Sequence, residues 1–492
     1  MWRLLTGVWF LSIVLLEVNS ARILGVFPGP SISHQVVFRA LTLELVKRGH
    51  DVTVVTPNPV YKNKESPKNL IEIDTSDEYE KILPLLNNLE KYTKRGVIMN
   101  FDAMIETTLM FDLNLNFFNN TGIFKAPAIM FSSLYGLAYY YETVGAVGRH
   151  PILYPNMARN KFGNLGLLDK IKELYVEYKL WKYDQRTKNA VNEFLKAEFG
   201  PDTPSVNELE KHVVLLLANS HPILDGNCPV PPATVYLGAL HLQPVKPLPE
   251  DLKSYLDRSN RGVVYVSLGS NVRPSRMDKD FLDAFLDAFE KIPLDILWKF
   301  DGDSLDRIPK NVKIQKWFPQ RDLLGHHNIK LFVTQGGMQS MDEAIDAEVP
   351  LVGIPMMGDQ WYNTNNYKKL GIGVAVDSST MIAEDLVKAV NTVANDPSYK
   401  ENMKKLNAII RDQPETPLER AVWWTEHVLR HKGSRHLIGP AAQTSWADYL
   451  MLDVLIPLVI GVTIVAATAG AAILYIIGQM LRKNSDVKIK KQ

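Results

Sequence analysis

The sequence predicts an α/β protein built from two parallel-sheet units and closed by one apolar carboxyl-terminal helix. Three observations carry that expectation. One stretch, from Ile23 to Val55, runs strand, loop, helix, strand, and a strand opening at Arg261 begins a second α/β unit. Between them, six prolines from Pro229 to Pro249 favour an extended connection over a packed element. Val454 to Leu481 contains no charged residue. At roughly 1.5 Å of rise per residue that run spans a bilayer core of about 30 Å.

Met1 to Ser20 holds Arg3, an uncharged run from Leu4 to Leu16, and Val18-Asn19-Ser20 before Ala21, the pattern of a signal peptide. Ile23 to Phe27 reads as a buried strand, Pro28 to Ser33 as a loop, Val36 to Arg48 as an amphipathic helix and Asp51 to Val55 as the next strand. His34 is expected on the loop after the first strand. This opening lacks the GxGxxG fingerprint, which speaks against a dinucleotide cofactor there. From Ala128 to Pro155 the chain is rich in aromatic residues, and Leu165 to Phe199 carries helical periodicity through Leu168, Ile171, Leu174, Tyr175, Tyr178 and Trp181. Core packing accounts for any one of these residues. Val213 to Ala218 reads as the last main strand of the first unit.

The second unit carries the densest chemical information. Ser270 follows a glycine at a strand's end, where a hydroxyl can donate to a phosphate or serve only a turn. Trp317-Phe318-Pro319-Gln320 offers an indole and an amide close together. Leu331 to Thr334 is a short strand broken by Gly336-Gly337, and Ser340-Met341-Asp342-Glu343 reads as a capping box opening a helix. Such a turn presents free backbone N–H groups at the positive end of a helix, beside a strand's carboxyl edge, where α/β sheets bind phosphate. Val349 to Pro355 reads as the next buried strand, which delivers Gly358-Asp359-Gln360 to the same edge.

Composition sets the outer limits. The 492 residues suffice for two domains with full cores, and 46% hydrophobic with 22% charged residues excludes a disordered or wholly membrane-embedded chain. A net charge of +1 gives no reason to expect nucleic acid. Cys228 is the only cysteine, so an internal disulfide and a thiolate metal cluster are excluded.

The string from Phe332 to Gln360 resembles the signature of the UDP-glycosyltransferase family, in its animal, membrane-anchored, invertebrate-like form. The matching residues are Phe332, Gln335-Gly336-Gly337, Ser340, Glu343-Ala344, Val349-Pro350, Ile354-Pro355 and Asp359-Gln360, with Trp317-x-Pro-Gln320 before them and Ser33-His34 near the start. The resemblance implies two facing Rossmann-like domains of the GT-B type, with UDP-sugar as co-substrate and neither cofactor nor metal. Trp317 would stack on uracil, Gln320 would bond uracil or ribose, and Glu343 would accept from the ribose hydroxyls. Ser270, Gln335, Gly336, Gly337 and Ser340 would face the diphosphate, and Asp359 and Gln360 the sugar. His34 would be the general base that takes the proton of an acceptor hydroxyl, with inversion at the sugar carbon. The acceptor would be a small lipophilic alcohol or phenol in an apolar pocket of the first domain.

One departure stands out. In the family an acid after a Phe-Asp-aliphatic run orients the histidine; here Phe111-Asp112-Leu113 is followed by Asn116 and Phe117. A base without its anion implies slow turnover, or a lumenal binding protein as the alternative. The expected layout is a signal peptide over 1–20, an acceptor domain over 21–242, a UDP-sugar domain with return helix over 243–445, a membrane helix over 450–481 and a cytosolic tail over 482–492. Basic residues after the apolar run place the tail in the cytosol and the body in the lumen of a type I protein; the ending Lys488-Ile489-Lys490-Lys491-Gln492 fits either a retrieval signal of the endoplasmic reticulum or a plain stop-transfer flank, and the family resemblance implies the reticulum. Asn119-Asn120-Thr121 is a glycosylation sequon. The sequence leaves a homo-oligomer open.

Overall fold

The computed structural model describes residues 20–29, 31–77, 126–147, 150–157, 159, 162 and 165–489. The signal-peptide segment before Ser20, Asp112, Asn116, Phe117, the Asn119 sequon and the last three residues lie outside the described residues.

The first half runs through β1 (Arg22–Val26), α1 (Ile32–Lys47), β2 (Asp51–Thr56), β3 (Leu70–Asp74) and β4 (Ala128–Ser132). It continues with α2 (Ala138–Thr143), the long α3 (Leu167–Phe199), α4 (Val206–Glu210), β5 (Val213–Ala218) and β6 (Thr234–Tyr236). Its strands form two parallel three-stranded sheets, β1-β2-β3 and β4-β5-β6. β5 is therefore not the last strand of this half. Thr234, Val235 and Tyr236 pair with Leu216 to Ala218 because the prolines flank this β-branched and aromatic triplet without occupying it.

The second half holds α5 (Glu250–Arg258), β7 (Val263–Ser267), α6 (Lys279–Lys291), β8 (Asp295–Lys299), β9 (Val312–Gln315) and α7 (Gln320–Leu324). β10 (Ile329–Thr334), α8 (Met338–Asp346), β11 (Leu351–Gly353), α9 (Gln360–Leu370), β12 (Gly373–Ala375), α10 (Ala383–Asn395) and α11 (Ser398–Arg411) complete it. Its parallel sheet is ordered β9-β8-β7-β10-β11-β12. The chain leaves β7 toward one edge and returns at β10 to build the other, so the order reverses between these two strands. Such a reversal is where open α/β sheets bind ligands, outside the carboxyl ends of the two strands. The sheet sits here because its central strands are apolar on both faces: Val264 and Val266 pack under α6 and α10, while Tyr265 and Phe332 pack under α5 and α8.

After α11 the chain returns to the first half as α12 (Pro417–His431). Thr416 and Glu419 form a reciprocal capping box at its start, and Ala421, Val422 and Val428 join Val37, Leu41 and Leu45 of α1 in one core. A short α13 (Trp446–Tyr449) leads into α14 (Leu452–Ile489). Within it, Leu452–Met480 is long and apolar enough to cross a membrane by length and composition.

The periodic residues of α3 are not core. Leu168, Ile171, Leu174, Tyr175, Tyr178 and Trp181 are exposed along one face of the helix. The buried aromatics come instead from the segment after β4, where Tyr135, Tyr141 and Tyr154 are all enclosed.

Candidate functional site

The crevice between β7 and β10 gathers the predicted residues of the second half. β10 ends at Thr334, and Gly336 then takes φ of +91°, a left-handed value that turns the chain back into α8. A Cβ at Gly336 would lie 2.7 Å from Thr364 Cγ2, so space and backbone conformation both require glycine. Gly337 is the N-cap of α8, which leaves the first-turn amides of a nine-residue helix at the crevice. The helix starts at Met338, two residues before Ser340, so the expected capping box does not form. The glycine turn sets the start, and Ser340 and Glu343 are freed for other partners.

Those partners come from the Trp-x-Pro-Gln element. Gln320, at the start of α7, donates through Nε2 to Glu343 Oε2 at 2.7 Å and to Ser340 Oγ at 3.1 Å. Its Oε1 accepts from Tyr265 Oη at 3.2 Å. Burial pushes the Glu343 carboxyl up from its ordinary value, and the Gln320 amide offsets part of that shift. Trp317, three residues before Gln320, is 64% exposed, an unusual state for an indole and one that leaves a flat face open. Lys299, at the end of β8, places its ammonium 4.4 Å from the Trp317 ring centroid and donates to the Gly269 carbonyl at 2.8 Å. Burial lowers the pKa of Lys299.

The loop after β7 meets the glycine turn directly. A Cβ at Gly269, whose φ is +78°, would lie 2.0 Å from Gln335 Nε2. Gln335 is buried, with Oε1 accepting from Thr334 Oγ1 at 3.1 Å. Ser270 is exposed at the crevice mouth. Asp359 is the N-cap of α9 and is half-buried; burial raises its carboxyl to about 6. Gln360 is buried, and its Oε1 accepts from the amides of Met356 and Met357 at 2.8 and 2.9 Å, so only its Nε2 end remains for another partner.

Asn363, absent from the sequence reading, joins these pieces. Its Nδ2 donates to Gly336 O and to Asp359 Oδ2, each at 2.7 Å, and its Oδ1 accepts from Tyr135 Oη of the first half at 2.6 Å. The signal in the sequence was its place four residues after Asp359, one helical turn on.

His34 lies in the first turn of α1, not on the preceding loop, because the helix begins at Ile32 with Ser31 as its N-cap. Its Nδ1 is hydrogen-bonded to Ser133 Oγ, just beyond β4. Burial depresses its pKa to about 4, so the ring is neutral at ordinary pH. Around it the halves touch. Asn271 Nδ2 donates to Ser31 Oγ at 3.4 Å, and Gln339 Nε2 of α8 donates to Ser133 O at 3.1 Å. The structure thus brings the first turn of α1 with His34, the Ser270 loop and the start of α8 after the glycine turn to one interface. Ser133, Gln339, Lys299 and Asn363 carried no motif of their own in the sequence.

Chemically, the arrangement offers an aromatic platform, an amide and carboxylate pair, a helix N-terminus, and a neutral imidazole across from them. Comparison with known proteins gives matching partners. Residues 119–487 match the family described as UDP-glucoronosyl and UDP-glucosyl transferase. An ecdysteroid UDP-glucosyltransferase of Lymantria dispar multicapsid nuclear polyhedrosis virus is 40% identical, with 89% of this chain and 93% of that protein covered. UDP-glucosyltransferase 2 of Dactylopius coccus is 32% identical, with 90% and 91% covered. Among solved structures, the glycotransferase of kitacinnamycin superposes with a TM-score of 0.54 at 18% identity, over 84% of this chain and 98% of that one. CalG4, the calicheamicin glycosyltransferase, gives 0.53 at 16%, over 84% and 99%.

Proposed function

The chain belongs to the family of UDP-glucuronosyl and UDP-glucosyl transferases and has its GT-B fold, and from that premise we propose how its residues divide the work. Such an enzyme transfers a sugar from a UDP-sugar. We infer that the sugar is glucose and the acceptor the hydroxyl of a small lipophilic alcohol or phenol; the names of the viral and Dactylopius relatives support glucose, and the word ecdysteroid a steroid-like acceptor. Those names also favour turnover over a binding-only role.

Trp317 stacks on uracil with the face that Lys299 does not cover. The ribose hydroxyls donate to Glu343, whose present partner Gln320 swings to the base or ribose. The diphosphate lies against the amides of Gly336, Gly337 and the first turn of α8, with Ser270, Gln335 and Ser340 as side-chain donors. Asp359 and the Nε2 end of Gln360 hold the sugar hydroxyls. His34 takes the acceptor proton through Nε2 as the acceptor oxygen attacks the anomeric carbon from the face opposite the phosphate. The bond to the diphosphate breaks with its electron pair, UDP leaves, and the sugar carbon is inverted. No metal is invoked, since amide dipoles and side-chain donors meet the developing charge. The apolar segment Leu452–Met480 anchors the protein, with the body in the lumen of the endoplasmic reticulum.

The observation that carries this reading is the Gln320 and Glu343 pair, with the exposed indole of Trp317 three residues before Gln320, beside the point where the strand order reverses. The experiment is UDP release from membranes supplied with UDP-glucose, UDP-glucuronic acid or UDP-galactose and a panel of phenols and steroids. His34→Ala should lower the rate by roughly 10²- to 10⁴-fold. A rate that survives this change removes His34 as the base.

A further inference from the structure

A general base works through one nitrogen only if the other is held. His34 Nδ1 is hydrogen-bonded to Ser133 Oγ, a residue 99 positions away in the sequence. Among the described residues no carboxylate forms an ion pair or hydrogen bond with this ring, and burial is the one cause of its depressed pKa. Ser133 is itself fixed. It is buried, and its backbone carbonyl accepts from Asn219 Nδ2 at 3.4 Å and from Gln339 Nε2 at 3.1 Å. Gln339 is the second residue of α8, the helix that the glycine turn opens. The carbonyl of Gln339 accepts in turn from His241 Nε2 at 3.4 Å. The other side chains around this contact, Ser31, Ser33 and Asn271, are uncharged. Besides His34, His241 is the one ionisable ring in the network among the described residues, and its own burial keeps it neutral.

We propose that Ser133 is the positioning partner of His34, its hydroxyl standing where a histidine base usually has a carboxylate, and that the UDP-binding half holds it in place through Gln339. This rests on the reading of His34 as the base. In the step it serves, His34 Nδ1–H donates to Ser133 Oγ, which fixes the tautomer and leaves the Nε2 lone pair facing the acceptor. The acceptor O–H bond breaks, its proton passes to Nε2, and its oxygen bonds the anomeric carbon as the bond to the diphosphate breaks and UDP departs with the electron pair. A hydroxyl can orient the ring but supplies no negative charge to the imidazolium that forms. Among the described residues the base is therefore oriented by a hydroxyl and not assisted by a charge, and its orientation depends on contact between the two halves.

The test compares Ser133→Ala, Ser133→Thr and Ser133→Asp in the full-length protein. Ser133→Ala should lower kcat about tenfold or more, short of the roughly 10⁴-fold loss seen when a buried charged partner of a catalytic histidine is neutralised. KM for the UDP-sugar should stay within about twofold, because the contact lies on the acceptor side. Ser133→Thr keeps the hydroxyl and should retain most of the rate. Ser133→Asp should move the acid limb of the kcat/KM profile upward by about one pH unit or more, as an anion beside an imidazole does. A readout independent of turnover is the His34 titration by NMR in histidine-labelled protein, assigned through His34→Gln; Ser133→Asp should raise it by the same amount. Should wild-type protein release no UDP, the functional reading falls while the titration still decides the pairing. A Ser133→Ala enzyme with unchanged kcat, an unmoved His34 titration in Ser133→Asp, or loss of turnover in Asp112→Asn with Ser133→Ala intact would each overturn the proposal.

Discussion

Trp317→Ala isolates the aromatic platform from the rest of the fold. The ring is 64% exposed, so its removal takes little packing out of the core, and the unfolding temperature should stay within about 2 °C of wild type. One face is occupied by the Lys299 ammonium at 4.4 Å, which leaves the other as the surface for a base. Stacking of a base on an aromatic side chain is worth about 1–3 kcal/mol. At roughly 1.4 kcal/mol per tenfold, the variant should bind UDP about 5- to 150-fold more weakly. Calorimetric titration of UDP into full-length protein in detergent measures this directly, and Trp317→Phe should recover most of the loss. Lys299→Met should cost less, since the ammonium backs the indole without touching the base. If Trp317→Ala binds UDP within about twofold of wild type, the base does not lie on this ring, and the reasoning that places uridine above Gln320 and Glu343 fails.

Three further outcomes follow from the same geometry. Glu343→Gln removes a charged acceptor from the ribose site and should weaken UDP binding by about 1.5–3 kcal/mol in the same titration, with the fold intact. Gly269→Ala places a methyl 2.0 Å from Gln335 Nε2 at a φ of +78°, so UDP affinity and unfolding temperature should both drop, with a stability cost of about 1–3 kcal/mol. Asp225 is buried, accepts from Tyr236 Oη at 2.6 Å and from Tyr141 Oη, and is raised by burial to about 7. Because this folded value lies above the ordinary carboxyl value near 3.9, the native state holds the extra proton between them. Stability should therefore fall as pH rises from about 4 to about 7, and thermal scans of Asp225→Asn across that range should show a flatter slope.

The second half was largely legible because its signals are local. A β-branched run, a glycine pair and the next apolar run define β10, the turn and β11, and chain order alone puts their ends together. The start of α8 was misread because Ser340 and Glu343 have the spacing of a capping box, whereas the left-handed Gly336 begins the helix earlier. His34 is expected on a loop because the apolar pattern of α1 shows only from Val36, although Ser31, a favoured N-cap residue, marks the earlier start. Ser133 and Gln339 could not be picked out, since each acts on a residue brought close only by the meeting of the halves, whereas Asn363 had one local mark, its place a helical turn after Asp359. The exposed face of α3 shows the converse limit: periodicity identifies a helix but not which way its stripe points.

The polypeptide crosses between its halves twice, once after β6 and again before α12, and the crossings are stitched together where Arg420 Nη1 donates to the Tyr236 carbonyl at 3.0 Å. Two bodies joined by a single strand can swivel in any direction. Joined by a pair bound side by side, they open and shut as the covers of a book do, about the line of the spine. On the reading proposed above, a hinge of this kind would part His34 from the glycine turn without letting the two faces lose their alignment, and each closure would return them to the same register.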